Sequence, residues 1–163
     1  MNNEFQNPED KAFFDELFCD FGGYEENKAN FDFRDPKDKR SEFNQLRNQI
    51  FKKLTSIRGS RCELGIHEKC TGIAEEVDHM IPLSSNVLNK NLRGMKAKAG
   101  KKVTTQSFGS NDPRNLILAC RKCNAFKKHK FLDRKSIAAI KRAWPNNRPE
   151  TNPACAASSA AKP

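Results

Sequence analysis

Four cysteines fall in two pairs, Cys62-x7-Cys70 and Cys120-x2-Cys123, with residues 71–119 between them. No other feature constrains the fold as tightly. Zinc takes four tetrahedral nitrogen or sulfur ligands, and a Cys-x-x-Cys turn offers two at the required bite. One ion shared by Cys62, Cys70, Cys120 and Cys123 ties two distant segments together, whatever the chain does in between. His67 lies inside the first pair and can replace one ligand. Buried free thiols and a redox pair are the other readings. The N-terminus carries acids and no apolar leader, and no run approaches the roughly 18 apolar residues of a membrane span. A reducing, cytoplasmic location is therefore expected, where paired cysteines serve metals more often than disulfides. Cys19 and Cys155 fall outside both pairs and read as ordinary thiols. A chain of 163 residues with 36% hydrophobic content suits one domain with a small core, and such a core gains stability from a metal clamp.

Charge is unevenly spread. Residues 1–35 hold ten acidic and three basic residues, a net −7, and residues 36–163 hold ten acidic and 27 basic, a net +17. A body this basic points to a polyanion, most simply nucleic acid; a soluble protein with a basic face is the plainer reading.

Residues 1–35 form an acidic, Phe-rich helical segment. Asn7-Pro8-Glu9-Asp10 is a helix start, with Phe13, Phe14, Leu17, Phe18 and Phe21 on one face and Gly22-Gly23 as the stop. Tyr24 to Arg34 reads as loop, anchored by Phe31 and Phe33. Asp35-Pro36 starts a second helix over 36–58, whose apolar face is Phe43, Leu46, Ile50, Leu54 and Ile57. Its other face carries Lys37, Lys39, Arg40, Arg47, Lys52 and Lys53, either facing nucleic acid or solvated. Residues 59–132 hold the candidate core, interrupted by a basic insert at 84–110. That insert reads as a phosphate-gripping loop through Lys90, Arg93, Lys96, Lys98, Lys101 and Lys102. A C-terminal helix lies within 133–145, with Ile137, Ile140 and Trp144 on one side, and 146–163 reads as a flexible tail.

Between the cysteine pairs runs Glu76-Val77-Asp78-His79-Met80-Ile81-Pro82-Leu83, an apolar strand closing on an Asp-His pair. A second strand, Asn115-Leu116-Ile117-Leu118-Ala119, leads into Cys120-x-x-Cys123-Asn124-x-x-Lys127. Phosphodiester hydrolysis needs an activated water and a cation to offset charge on the phosphate. His79 suits the base, because a neutral imidazole accepts a proton near physiological pH. Asp78 points the other way and offers Mg²⁺ or Mn²⁺ a hard oxygen, and the amide oxygen of Asn124 offers a second.

Taken together, Cys62, Cys70, Asp78-His79, Asn115, Cys120-x-x-Cys123-Asn124 and Lys127 resemble the four-cysteine branch of the HNH endonuclease family over about residues 58–131. The resemblance implies an α+β fold: a small ββα-metal (HNH) nuclease core with a structural zinc clamp, preceded by α-helices. It implies that Asn115 orients His79 and pins the loop between the strands; a plain turn residue in Asp112-Pro113-Arg114-Asn115 is the other reading of Asn115. The third signature position is Asn124 rather than His, an H-N-N version. His129 is out of register and reads as a surface residue or phosphate contact. Arg121, Lys122, Lys127, Lys128 and Lys130 would steady the scissile phosphate, or else complement the helix dipole.

The implied activity is metal-dependent hydrolysis of DNA, with RNA and branched DNA open as substrates and a homodimer required for paired cuts. The rival reading is a zinc-stabilised nucleic-acid-binding module without catalysis.

Overall fold

The computed structural model describes residues 5–84, 87–96, 98–99, 106–128 and 130–145. Lys101, Lys102, His129, Cys155 and the expected tail at 146–163 lie outside them.

Mixed helix surrounds a small two-stranded antiparallel sheet, an α+β arrangement. Strands β1 (Glu76–His79) and β2 (Leu116–Ala119) pair with Glu76 opposite Ala119 and His79 opposite Leu116. Alternation along a strand then assigns the faces. Val77, His79, Leu116 and Leu118 share one side; Glu76, Asp78, Ile117 and Ala119 share the other. A lone hairpin is marginal in water, and here both sides are covered, so β2 is buried at every position.

The long helix α3 (Pro36–Arg58) covers the first side. Asp35 caps it by accepting the Lys37 N–H at 2.8 Å, Pro36 fits its first turn, and Gly59 at φ 85° ends it. Phe43 and Leu54 pack with Val77, Leu116 and Leu118. Leu46 and Ile57, expected on this apolar face, are exposed instead, because a two-stranded sheet is too narrow to cover the whole stripe of a 23-residue helix. Lys39, expected on the basic face, is fully buried and donates to the Gly109 carbonyl at 2.7 Å.

The second side meets the N-terminal segment and the last helix. Helix α1 (Pro8–Leu17) stops five residues before the expected glycine stop, and the chain tightens into a 3₁₀ turn at Cys19–Phe21. Phe18 and Phe21 thereby turn into the core. Asn7 does not cap α1 with its side chain. Two further short pieces, α2 (Gly23–Glu26) and a 3₁₀ turn at Lys28–Asn30, occupy the expected loop; the Asp15 carboxylate accepts the Tyr24 N–H at 2.8 Å and fixes that corner. The rings of Phe5, Phe14, Phe31 and Phe108 interlock, Phe14 meeting Phe31 edge-on at 4.9 Å. Helix α6 (Arg134–Ala143), capped by Asp133, adds Ile137 and Ile140 to the same core, with Trp144 just beyond its end. Cys19 is disulfide-bonded, not the ordinary thiol expected.

The insert forms a short helix, α4 (Val87–Arg93). Arg93 does not reach outward from it. Its guanidinium lies 2.6 Å from Asp10, which is 1% exposed, and 3.0 Å from Glu9. The buried carboxylate draws the cation inward, since an unpaired charge there is costly. Arg134 pairs similarly with Asp20 at 2.9 Å. Among the described residues no helix is long and apolar enough to cross a membrane.

Removing one partner of a buried ion pair strands the other charge, which costs about 3–5 kcal/mol. Arg93→Ala should therefore lower unfolding stability by roughly 3 kcal/mol in a urea titration, while Glu9→Gln, at the exposed rim, should change it by under about 0.5 kcal/mol. Equal, small effects would show that the pair does not hold α1 in solution.

Candidate functional site

Helix α5 (Arg121–Lys127) follows β2 directly and folds back across the Glu76/Asp78 side of the sheet. Asn124 and Lys127 sit three apart on α5, and Glu76 and Asp78 two apart on β1, so the helical and strand repeats bring them together in pairs. Asn124 donates its amide N–H to Glu76 at 2.6 Å. The carboxylate is acceptor-only, which fixes the amide and turns its oxygen away from Glu76. The Lys127 ammonium lies 2.9 Å from Asp78 Oδ2 and donates to the His79 carbonyl at 2.9 Å. Lys127 is 2% exposed. It is an internal cation on the strand, not the phosphate-facing residue expected.

On the opposite side His79 is 7% exposed. Phe43 from α3 meets its ring edge-on at 4.6 Å. The ring Nε2 stands 2.8 Å from Asn111 Oδ1, and Asn111 donates its own N–H to the Lys39 carbonyl at 2.8 Å. Because that carbonyl can only accept, the Asn111 oxygen is the atom facing the ring, so Nε2 carries the proton and Nδ1 the lone pair. Burial pushes the His79 pKa below its ordinary 6.5, against the opposing effects of Asn111 and Asp78.

Asn115 does not touch the His79 ring. It is fully buried, accepts the Ile81 N–H at 2.8 Å, and donates to the Ile81 and Ser110 carbonyls at 3.1 and 2.8 Å. Its own carbonyl accepts the Met80 N–H at 2.7 Å. It pins the two ends of the insert, and Asn111 takes the ring. Nothing in the sequence distinguishes Asn111 from an ordinary residue of the Asp112-Pro113 turn. Glu76 was within reach of a sequence reading, since strand alternation puts it beside Asp78.

All four expected cysteines come together, their sulfurs within 4.8 Å of one another. Tetrahedral zinc with bonds of about 2.3 Å places sulfurs about 3.8 Å apart, and Cys70 and Cys120 are 3.8 Å apart. Backbone N–H groups of Gly72 and Cys123 point at Cys70 and Cys120, each at 3.4 Å. Burial opposes charge on Cys120, but N–H donors from Cys123 and Thr71 outweigh it and hold its pKa down at about 6. The group can hold a metal ion and is compatible with structural zinc. His67 takes no part; its Nδ1 accepts the Lys69 N–H at 3.0 Å, and its ring faces Phe126.

For a hard cation, the donors at hand are the Asp78 carboxylate and the Asn124 amide oxygen. Asp78 Oδ2 is ion-paired with the Lys127 ammonium at 2.9 Å, so a cation held here would share the carboxylate with that ammonium. Carboxylate and amide oxygens are the donor type that Mg²⁺ or Mn²⁺ takes. Of the expected nucleic-acid contacts, Arg121, Lys122, Lys128, Lys130, Lys96 and Lys98 are exposed, and Arg93 and Lys127 are internal. Arg121 lies 3.6 Å from Glu76. Comparison with protein-family models, curated proteins and solved structures gives no match.

Metal analysis of the purified chain should give about one zinc per molecule. The binding energy of structural zinc rivals the whole stability of a small domain. Stripping it with a strong chelator, or Cys120→Ser, should therefore abolish the cooperative thermal transition. A metal-free chain that melts at the same temperature would contradict the zinc assignment.

Proposed function

We propose that the chain is a metal-dependent endonuclease of the HNH type that hydrolyses phosphodiester bonds in DNA. One observation carries the reading. Two adjacent residues of one strand serve opposite sides of the sheet: Asp78 joins Glu76, Asn124 and Lys127 under α5, and His79 joins Asn111 under α3. A base and a cation site are thereby separated by a single peptide unit, with four cysteines bracing the elements that carry them.

In this reading His79 Nδ1 takes the proton of the attacking water. Asn111 holds the tautomer, and burial keeps the ring neutral at neutral pH. Asp78 and Asn124 would hold Mg²⁺ or Mn²⁺, which supplies charge stabilisation at the scissile phosphate and leaving oxygen. Glu76 orients Asn124 for that task. Lys127 offsets the negative charge of Asp78 from inside. Arg121, Lys122 and Lys128, exposed along and just past α5, would meet the phosphate backbone.

A second reading, a zinc-stabilised nucleic-acid-binding module without catalysis, draws on the near-complete burial of His79 and the ammonium already beside Asp78.

Plasmid cleavage tests the choice, with Mg²⁺ or Mn²⁺ omitted rather than chelated so that the cysteine cluster stays loaded. Cutting should require the added cation and fall about 10²–10⁴-fold in His79→Ala. DNA binding that weakens with salt, without cutting in either metal, is the outcome that favours the binding module.

The pH profile is a separate check. A general base works only when unprotonated, so activity is lost as pH falls through the His79 pKa. Because that pKa is lowered from 6.5, the midpoint of the loss in kcat/KM should fall below pH 6.5. A turnover above 6.5 would exclude His79 as the titrating base.

A further inference from the structure

Helix α3 touches the sheet only at intervals. Phe43 and Leu54 are buried against it, but every position from 44 to 49 is exposed. A helical turn takes about 3.6 residues, so six exposed positions in a row leave no face of the helix packed away over that stretch. On the side turned from the sheet, Lys37, Ser41, Asn44, Asn48 and Lys52 recur at spacings of three and four, and Gln45 lies among them; all are exposed. Arg40 and Arg47 edge this stripe.

The stripe is cationic and uncommitted. The acids of α3, Asp38 and Glu42, lie in its first two turns, and Glu42 is taken by Arg34 at 2.7 Å. No acid follows until Glu63. Among the described residues, the side chains of Asn44, Gln45 and Asn48 bond to nothing in the chain. Asparagine is a weak helix former, favoured at caps and turns because its amide competes for the backbone. Asn44 and Asn48 stand in the middle of a 23-residue helix without making such a bond.

This pattern has a match in duplex DNA. A helix with its side chains is about 10–12 Å across, and the major groove is about 12 Å wide. Asn and Gln amides pair bidentately with N6–H and N7 of adenine, and cations meet the phosphates that flank the groove. Amides in the middle of the stripe, with Lys37 and Lys52 toward its ends, follow that order. Placement agrees. Phe43, next to Asn44, meets the His79 ring at 4.6 Å, and Asp78 lies on the other side of the sheet under α5. A DNA strand passing between α3 and α5 would run by the Asp78–His79 pair, with a groove on its α3 side.

We propose that α3 enters the major groove of duplex DNA and reads base edges through Asn44, Gln45 and Asn48. The placement of the cut strand rests on the nuclease reading above; the base readout itself needs no cutting. Asn44 and Asn48 are four residues apart, about 6 Å along the axis or roughly two base-pair steps. The preferred sequence is therefore a short motif bearing adenine.

The test uses the full chain with its cysteine cluster loaded and no added Mg²⁺ or Mn²⁺. A library of duplexes with a randomised segment is bound, and the bound molecules are sequenced. A short adenine-bearing motif should be enriched, and fluorescence anisotropy should give its duplex roughly a hundredfold tighter binding than a scrambled one. Asn44→Ala and Asn48→Ala should each cut that ratio about tenfold, whereas Lys52→Ala should weaken both duplexes alike. Alanine is the better helix former, so the two Asn variants should melt no lower than wild type. Exchanging the enriched A·T pairs for inosine·cytosine alters the major-groove edge and keeps the minor-groove edge, and should abolish the preference. No enriched motif, a preference that survives both Asn variants, or one that survives the inosine exchange would overturn the proposal. Plasmid cutting in Mg²⁺ without any motif would leave the nuclease reading standing and remove this one; a motif without cutting would do the reverse.

Discussion

A two-stranded sheet buried on both faces is the constraint from which the rest follows. Four residues per strand cannot hold a hairpin in water. The pairing survives because α3 packs on Val77, Leu116 and Leu118 while the aromatic N-terminal segment and α6 pack on Ile117 and Ala119. Register is then fixed in a way an open sheet would not require. A slip of one residue would turn every side chain to the other face. It would bury Asp78 and Glu76 against Phe43 and Leu54, and leave His79 under α5. The separation of the carboxylates from the imidazole is thus a by-product of core packing rather than an added device.

The acidic N-terminal segment has two physical roles that its composition alone does not separate. Its rings supply most of the aromatic part of the second core, where edge-on contacts add to the area they bury. Its acids then neutralise basic side chains that would otherwise be stranded: Asp10 and Glu9 take Arg93, and Asp20 takes Arg134. The segment is therefore part of the fold. Its charge asymmetry with the body is partly cancelled within the molecule before any partner arrives.

Features of fixed local chemistry were legible in the sequence. The cysteine pairs converge as expected, and α3 begins at its Asp-Pro signal and spans the expected 36–58. The opposition of Asp78 and His79 follows from strand periodicity alone. What escaped depends on contacts between distant segments. Helical spacing predicted a continuous apolar stripe on α3, but it cannot know how wide the sheet beneath will be, and Leu46 and Ile57 stay outside. Charge pattern predicted Arg93, Lys39 and Lys127 at the surface. Each is drawn inward by partners elsewhere in the chain: Asp10 and Glu9 for Arg93, the Asp32 and Gly109 carbonyls for Lys39, and Asp78 with the His79 carbonyl for Lys127. Asn111 owes its place beside His79 to the Lys39 carbonyl, a backbone group with no sequence signature.

The neck of the insert carries one more consequence. Asn115 clamps Ile81 to Ser110, and Ser107 donates its hydroxyl to the Leu83 carbonyl, so the chain leaves and rejoins the core through one stitched gate. Once such a gate is closed, loop length matters little, since each doubling adds only about 0.6 kcal/mol of closure entropy. Within the segment, α4 is tied to the body by buried Leu88 and by the Arg93–Asp10 pair, so a change of length is tolerated only where it spares them. The paired strands therefore feel the segment through its two ends rather than through its length.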